Sequence, residues 1–217
     1  MRETLRYVMA SAALGAITYF GSEALFWVFP PAGAGPGELA ATVLAYALAS
    51  ACVLSALILT GAGGLAGLFL AGALLGFLIE GVVVGTMYDG FPVQLVWTPL
   101  AWHALITGLG VVVLPRIMGQ WAWWQQAAAM VVLGAVGGLM AGYWPMERAD
   151  LPRTVAIFAY LMGFGTLAVA GHLTLDRLET LPRPPNWVLS VMPGLALVLC
   201  GWSKAPPTPD RSDWPCR

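Results

Sequence analysis

Residues 64–86 read GLAGLFLAGALLGFLIEGVVVGT, with a single charged side chain, Glu80, among Leu, Val, Ala, Phe and Gly. A helix rises about 1.5 Å per residue, so about 20 apolar residues cross a hydrocarbon core about 30 Å thick. This run is long enough. It also lacks the polar stripe that turns one side of a soluble helix to water, and a helix apolar all round is stable only in a protein core or in lipid.

The rest of the chain reads the same way. Of its 217 residues 59% are hydrophobic and 10% charged, with a mean hydropathy of +0.78, whereas a soluble domain carries about 25% charged residues. Further apolar runs span 5–29, 40–62, 93–114, 122–143, 154–175 and 186–202. Between them stand turn-forming residues: Pro30-Pro31 and Pro36, Gly61-Ala62-Gly63-Gly64, Asp89-Gly90, Pro115-Arg116, Pro145, Pro152, and Pro182, Pro184 and Pro185. The sequence therefore predicts an all-α, polytopic integral membrane bundle of about seven transmembrane helices over 1–202, followed by a polar, Pro-rich tail over 203–217. Arg2 and Arg6 precede the first run, but that run is too long for a signal-peptide core and reads as an uncleaved first helix.

Tryptophans mark the two membrane faces independently. Trp27, Trp97, Trp144 and Trp202 fall near one set of helix ends, and Trp121, Trp123, Trp124 and Trp187 near the other, as amphipathic indoles do at both interfaces. An N-terminus inside the cell places Arg2, Arg6, Arg116, Arg177 and Arg183 on the cytoplasmic side. This is the orientation that the positive-inside rule favours, and it suits a bacterial inner membrane. The net charge of −1 offers no basic face for nucleic acid. Expected partners are membrane lipids and, in a second reading, other membrane subunits.

Glycines predict where helices approach closely. Gly72 and Gly76 lie four apart in 64–86, and Gly134, Gly138 and Gly142 in 122–143. Small residues at this spacing let backbones meet where no hydrophobic effect operates between helices. These two runs are the expected central helices.

An ionisable side chain at membrane depth costs at least about 2.5 kcal/mol and usually faces the bundle interior. Glu23, Glu80 and His103 are the candidates. Glu23 and Glu80 sit about six residues, roughly 9 Å, from the outer end of their runs, and His103 roughly 15 Å deep. All three are expected to converge on one polar pocket opening outward. Glu80 shares the stripe of Gly72 and Gly76, so it should meet a neighbouring helix and not lipid. Pro99 cannot donate to a preceding carbonyl, which leaves an oxygen free near His103. Trp97, Thr98 and Thr107 line the same run, and the turn Met87-Tyr88-Asp89-Gly90-Phe91-Pro92 would cap the pocket, with Tyr88 or Asp89 reaching into it.

Each candidate has a bland reading beside the functional one. Glu23 can be a protonated carboxyl bonded to Ser22, Thr18 or a neighbouring carbonyl. Glu80 can tie two helices together, His103 can be a satisfied core histidine, His172 an interfacial residue, and Asp89-Gly90 ordinary turn chemistry. If the cluster is functional, low dielectric raises the pKa of a lone carboxyl and lowers that of a lone histidine, unless the two hold each other charged. Such a set moves protons, with Glu80 and His103 as donor and acceptor and Glu23 as their partner. Two carboxylates and one imidazole are a poor set for a first-row transition metal. Cys52, Cys200 and Cys216 form no C-x-x-C pair. The sequence assigns no metal ligands and leaves metal, haem and cofactor open.

There is no G-x-S-x-G and no H-E-x-x-H, and the lone lysine, Lys204, lies beyond the last run, which excludes a retinal Schiff base within it. The stretch from Glu80-Gly81 to Pro99-Leu100-Ala101-Trp102 is slightly similar to membrane-bound carotenoid-modifying hydratases, without a signature specific to them, and assigns no family. Three functions stay open: an acid–base enzyme or binder for a lipid-soluble (isoprenoid or lipid) molecule, a structural or assembly subunit of a membrane complex, and a small proton-coupled transporter. Transporters commonly show two similar halves, and none is visible here.

Overall fold

The computed structural model describes residues 2–30, 34–88, 92–125, 128, 154–191, 193–194 and 198. Every regular element among them is helical, and five helices are long and apolar enough to cross a membrane: α1 (Arg2–Trp27), α2 (Pro36–Thr60), α3 (Gly64–Val84), α4 (Val93–Met118) and α5 (Thr154–Leu178). A short α6 (Asn186–Ser190) opens the last apolar run. Most of the 122–143 run, with its glycines and its expected central place, lies outside the described residues, as do Asp89, Trp144, Cys200, Cys216 and the tail.

The polarity of the bundle is inverted. Ser11, Thr18, Ser22, Ser50, Ser55, His103 and Thr107 are buried, while Leu70 on α3 and Phe158 on α5 are each 64% exposed. A water-soluble fold would place these groups the other way round. In lipid the apolar exterior is solvated, and buried hydroxyls serve one another or the backbone. Thus the Tyr7 hydroxyl donates to the Ala51 carbonyl at 2.8 Å, and Thr18 and Ser50 oxygens lie 3.3 Å apart.

Among the described spans α1 is the most enclosed, with 61% of its most apolar window buried against 39% for α3. The expectation that 64–86 is central therefore needs correction. Glycine spacing reports one close interface, whereas a central helix needs small residues on several sides, and α1 has them. A Cβ on Gly15 would lie 2.4 Å from Ala47 Cα on α2, one on Gly21 3.0 Å from Thr107 Cγ2 on α4, and Gly171 of α5 meets the Ala13 carbonyl.

The glycine stripe of α3 does bring two backbones together. A Cβ on Gly72 would lie 2.8 Å from Ala104 Cα, and one on Gly76 2.5 Å from Pro99 Cα, so α3 and α4 touch along this line. Turns at the ends follow from glycine too. Gly61 ends α2 at φ +65°, its N–H donating to the Leu57 carbonyl, and Gly85 ends α3 at φ +88°.

Prolines are absorbed differently from the expected breaks. Helix α4 runs through Pro115 to Met118. Pro115 stands in the first turn of the α-wound segment Leu114–Met118, where a missing N–H is tolerated. His172 Nε2 on α5 donates to the Val111 carbonyl at 3.1 Å, so His172 is a helix-to-helix tie. At the same end of the bundle Arg6 of α1 donates to the Leu178 and Thr180 carbonyls that close α5, and Arg116 pairs with Asp176 at 2.7 Å. A cation suits a helix C-terminus, where carbonyls are left unpaired.

Candidate functional site

The three ionisable candidates share a backbone feature. Glu23 lies in Phe20–Ala24, Glu80 in Ile79–Val84 and His103 in Trp97–Val113, all wound in wide π-type turns. Such turns are rare and frequently occur at functional sites.

Close contact of α3 with α4 sets the centre of the site. One turn beyond Gly76, the Glu80 carboxylate lies 3.0 Å from His103 Nε2. His103 is 2% exposed and Glu80 14%. The second Glu80 oxygen accepts a hydrogen bond from Thr86 Oγ1, whose residue follows the left-handed Gly85 and folds back over the end of α3. The other ring nitrogen, Nδ1, lies 2.9 Å from Ser22 Oγ on α1, and Ser22 Oγ lies 3.0 Å from Thr107 Oγ1 on α4. A continuous hydrogen-bonded chain therefore runs Thr86, Glu80, His103, Ser22, Thr107 across three helices.

Glu23 joins this chain through a tyrosine. Tyr46 on α2 donates its hydroxyl to Glu23 Oε1 at 2.9 Å, and its buried ring stacks on that of His103 with centroids 6.5 Å apart. Glu23 also lines a cleft of about 320 Å³ with Tyr19, Trp27, Glu38, Thr42 and Tyr160. That volume is at the lower end of small-molecule pockets, about 300–1,000 Å³. So Glu80 and His103 meet directly, and Glu23 borders a cleft from which the Tyr46 ring leads to them.

The remaining sequence-stretch candidates scatter. Thr107 is fully buried in the chain described above. Tyr88 is 70% exposed, and the loop hydroxyl that reaches Glu80 belongs to Thr86. Trp97 is 49% exposed at the start of α4, in keeping with an interfacial indole. Thr98 Oγ1 donates to the Gln94 carbonyl at 3.1 Å, one turn back along α4. Asp89 lies outside the described residues.

No protein family, curated protein or solved structure matches this chain.

Sequence reasoning passed over three members of the site. Ser22, expected as a partner for Glu23, bonds His103. Tyr46 is the only aromatic residue in the run 40–62, and an isolated phenol at membrane depth is a signal that could have found it. Thr86 stands six residues after Glu80, a spacing that means nothing until Gly85 reverses the chain. Among the described residues, no group of three or more His, Cys, Asp and Glu side chains is placed to hold a metal ion. What the arrangement can do is hold, donate and accept protons in a water-poor setting, where such hydrogen bonds are strengthened.

Proposed function

We propose that this protein is a membrane-embedded acid–base enzyme or binder for a lipid-soluble molecule, isoprenoid or lipid. In this reading Glu80 and His103 exchange a proton with the bound molecule, and Glu23, at the cleft, is their partner. The observation that carries it is the 3.0 Å contact between a buried imidazole and a carboxylate inside an apolar bundle. A pair of this kind costs desolvation energy that hydrophobic residues would not incur, which favours a use beyond holding helices together. Arginines gathered where α1 starts and α5 ends favour, by the positive-inside rule, an N-terminus on the cytoplasmic side, and a bacterial inner membrane suits that orientation.

A second reading has one observation in its favour. Both ring nitrogens of His103 are engaged, by Glu80 and by Ser22, as they would be in a polar tie between helices of a complex subunit.

Native mass spectrometry on protein gently extracted from its own membrane separates the two. A lone chain carrying a reproducible hydrophobic mass, lost in Glu80→Gln and His103→Ala proteins that still fold, is the expected result. Stoichiometric partner proteins, with both variants behaving normally, would make the chain a subunit and the pair a tie.

A further inference from the structure

The two histidines of this chain are held by groups of opposite character. His172 Nε2 faces the Val111 carbonyl. A carbonyl only accepts, so that nitrogen must keep its hydrogen. His103 Nδ1 faces the hydroxyl of Ser22, which can either donate or accept.

That difference propagates through the chain of contacts. When Glu80 is ionised both of its oxygens accept, one from Thr86 and the other from His103 Nε2. Nε2 therefore carries a hydrogen, and in a neutral imidazole Nδ1 must then be the acceptor. Ser22 donates to it, and Thr107 donates to Ser22 across their 3.0 Å contact. When the ring is protonated, Nδ1–H donates to Ser22, and the Ser22 hydrogen turns toward Thr107. His103 keeps a complete set of hydrogen bonds in both states, and no heavy atom has to move. Its surroundings match this on each packed element: the Glu80 carboxylate from α3, the Tyr46 ring from α2, and Glu23 of α1 bonded to Tyr46.

We propose that Ser22, backed by Thr107, is the positioning residue of the site: it fixes the neutral His103 as the Nε2–H tautomer and holds the same ring in place when it is protonated. This rests on the reading of Glu80 and His103 as an acid–base pair, and it assigns a role to a residue outside that pair.

The chain contains two histidines, so isotope-labelled histidine in the full-length protein, in lipid nanodiscs, gives two pairs of ring-nitrogen signals by magnetic resonance. A His172→Phe sample assigns them. The expected wild-type result at neutral pH is one His103 tautomer, with hydrogen on Nε2 and none on Nδ1. Ser22→Ala should lose that single tautomer and shift the Nδ1 signal, and Ser22→Thr, which retains a hydroxyl, should restore both. Should Ser22→Ala fail to fold, Thr107→Val removes the donor behind Ser22 and should still shift Nδ1. Unchanged His103 signals in these variants, or a wild-type neutral ring with its hydrogen on Nδ1, would overturn the assignment. The readout is the ring and not turnover. An unchanged ring in Ser22→Ala beside an inactive Glu80→Gln protein therefore refutes the role of Ser22 and leaves the acid–base pair standing. A shifted ring beside a fully functional Glu80→Gln protein does the reverse.

Discussion

Gly76 lies directly beneath His103: a Cβ placed on Gly76 would come within 2.9 Å of the His103 Cβ and 2.5 Å of Pro99 Cα. The absence of a side chain on α3 is thus what lets α4 bring its imidazole down to Glu80. Gly76→Ala should force the two helices apart and cost about 1–3 kcal/mol, the usual price of overpacking a tight contact. Thermal unfolding in detergent should show this as a lower midpoint. Gly163→Ala, where among the described residues nothing lies within 4 Å of the added carbon, should not lower the midpoint.

The hydroxyl and the ring of Tyr46 serve different partners. Tyr46→Phe removes the hydroxyl that serves Glu23 but keeps the ring stacked on His103. A stability loss of about 0.5–1.5 kcal/mol is expected, the net contribution of one hydrogen bond. Ring-nitrogen signals of His103 should shift as well, because the Tyr46 hydroxyl also interacts with Ser22, the partner of His103 Nδ1. Unchanged signals would mean that the hydroxyl does not reach the ring through Ser22.

His172→Phe should remove the side-chain donor to the Val111 carbonyl. A cost of about 1–3 kcal/mol follows, and hydrogen exchange should quicken around residues 111–118 while the Glu80–His103 pair stays intact. No change in exchange at the C-terminal end of α4 would show that the carbonyl finds another donor.

The Glu80–His103 contact itself can be measured by a double-mutant cycle. Glu80→Gln, His103→Gln and the double variant, unfolded reversibly in mixed micelles, should give a coupling energy of about 0.5–3 kcal/mol. Strict additivity would mean that the two side chains do not sense each other.

Much of this was legible in the sequence. The bundle follows from apolar runs of membrane-crossing length, because no arrangement in water could cover them. The Gly72–Gly76–Glu80 stripe points to one helix interface, because four-residue spacing keeps residues on one face. What escaped is the hydrogen bonding that depends on winding. Assigning faces assumes 3.6 residues per turn, and the segments bearing Glu23, Glu80 and His103 are wound more widely than that. Ser22 could not be matched to His103, nor Thr86 to Glu80, without knowing how each helix turns there. Pro115 does not end α4, because it falls where the winding changes, in the first turn of Leu114–Met118, and that change of winding is not written in the residues either.

The π-type turns carry a consequence for anyone who would rebuild this site elsewhere. Each holds more residues per turn than an α-helix, so tightening one to ordinary winding would rotate everything beyond it, and removing a single residue corresponds to about 100° around the axis. Transplanting Glu80, His103 and Ser22 onto straight helices at the same sequence positions would aim them past one another. The constellation is encoded in how the backbone is coiled as much as in which side chains it bears, and a one-residue deletion in any of these turns would erase it without touching a functional group.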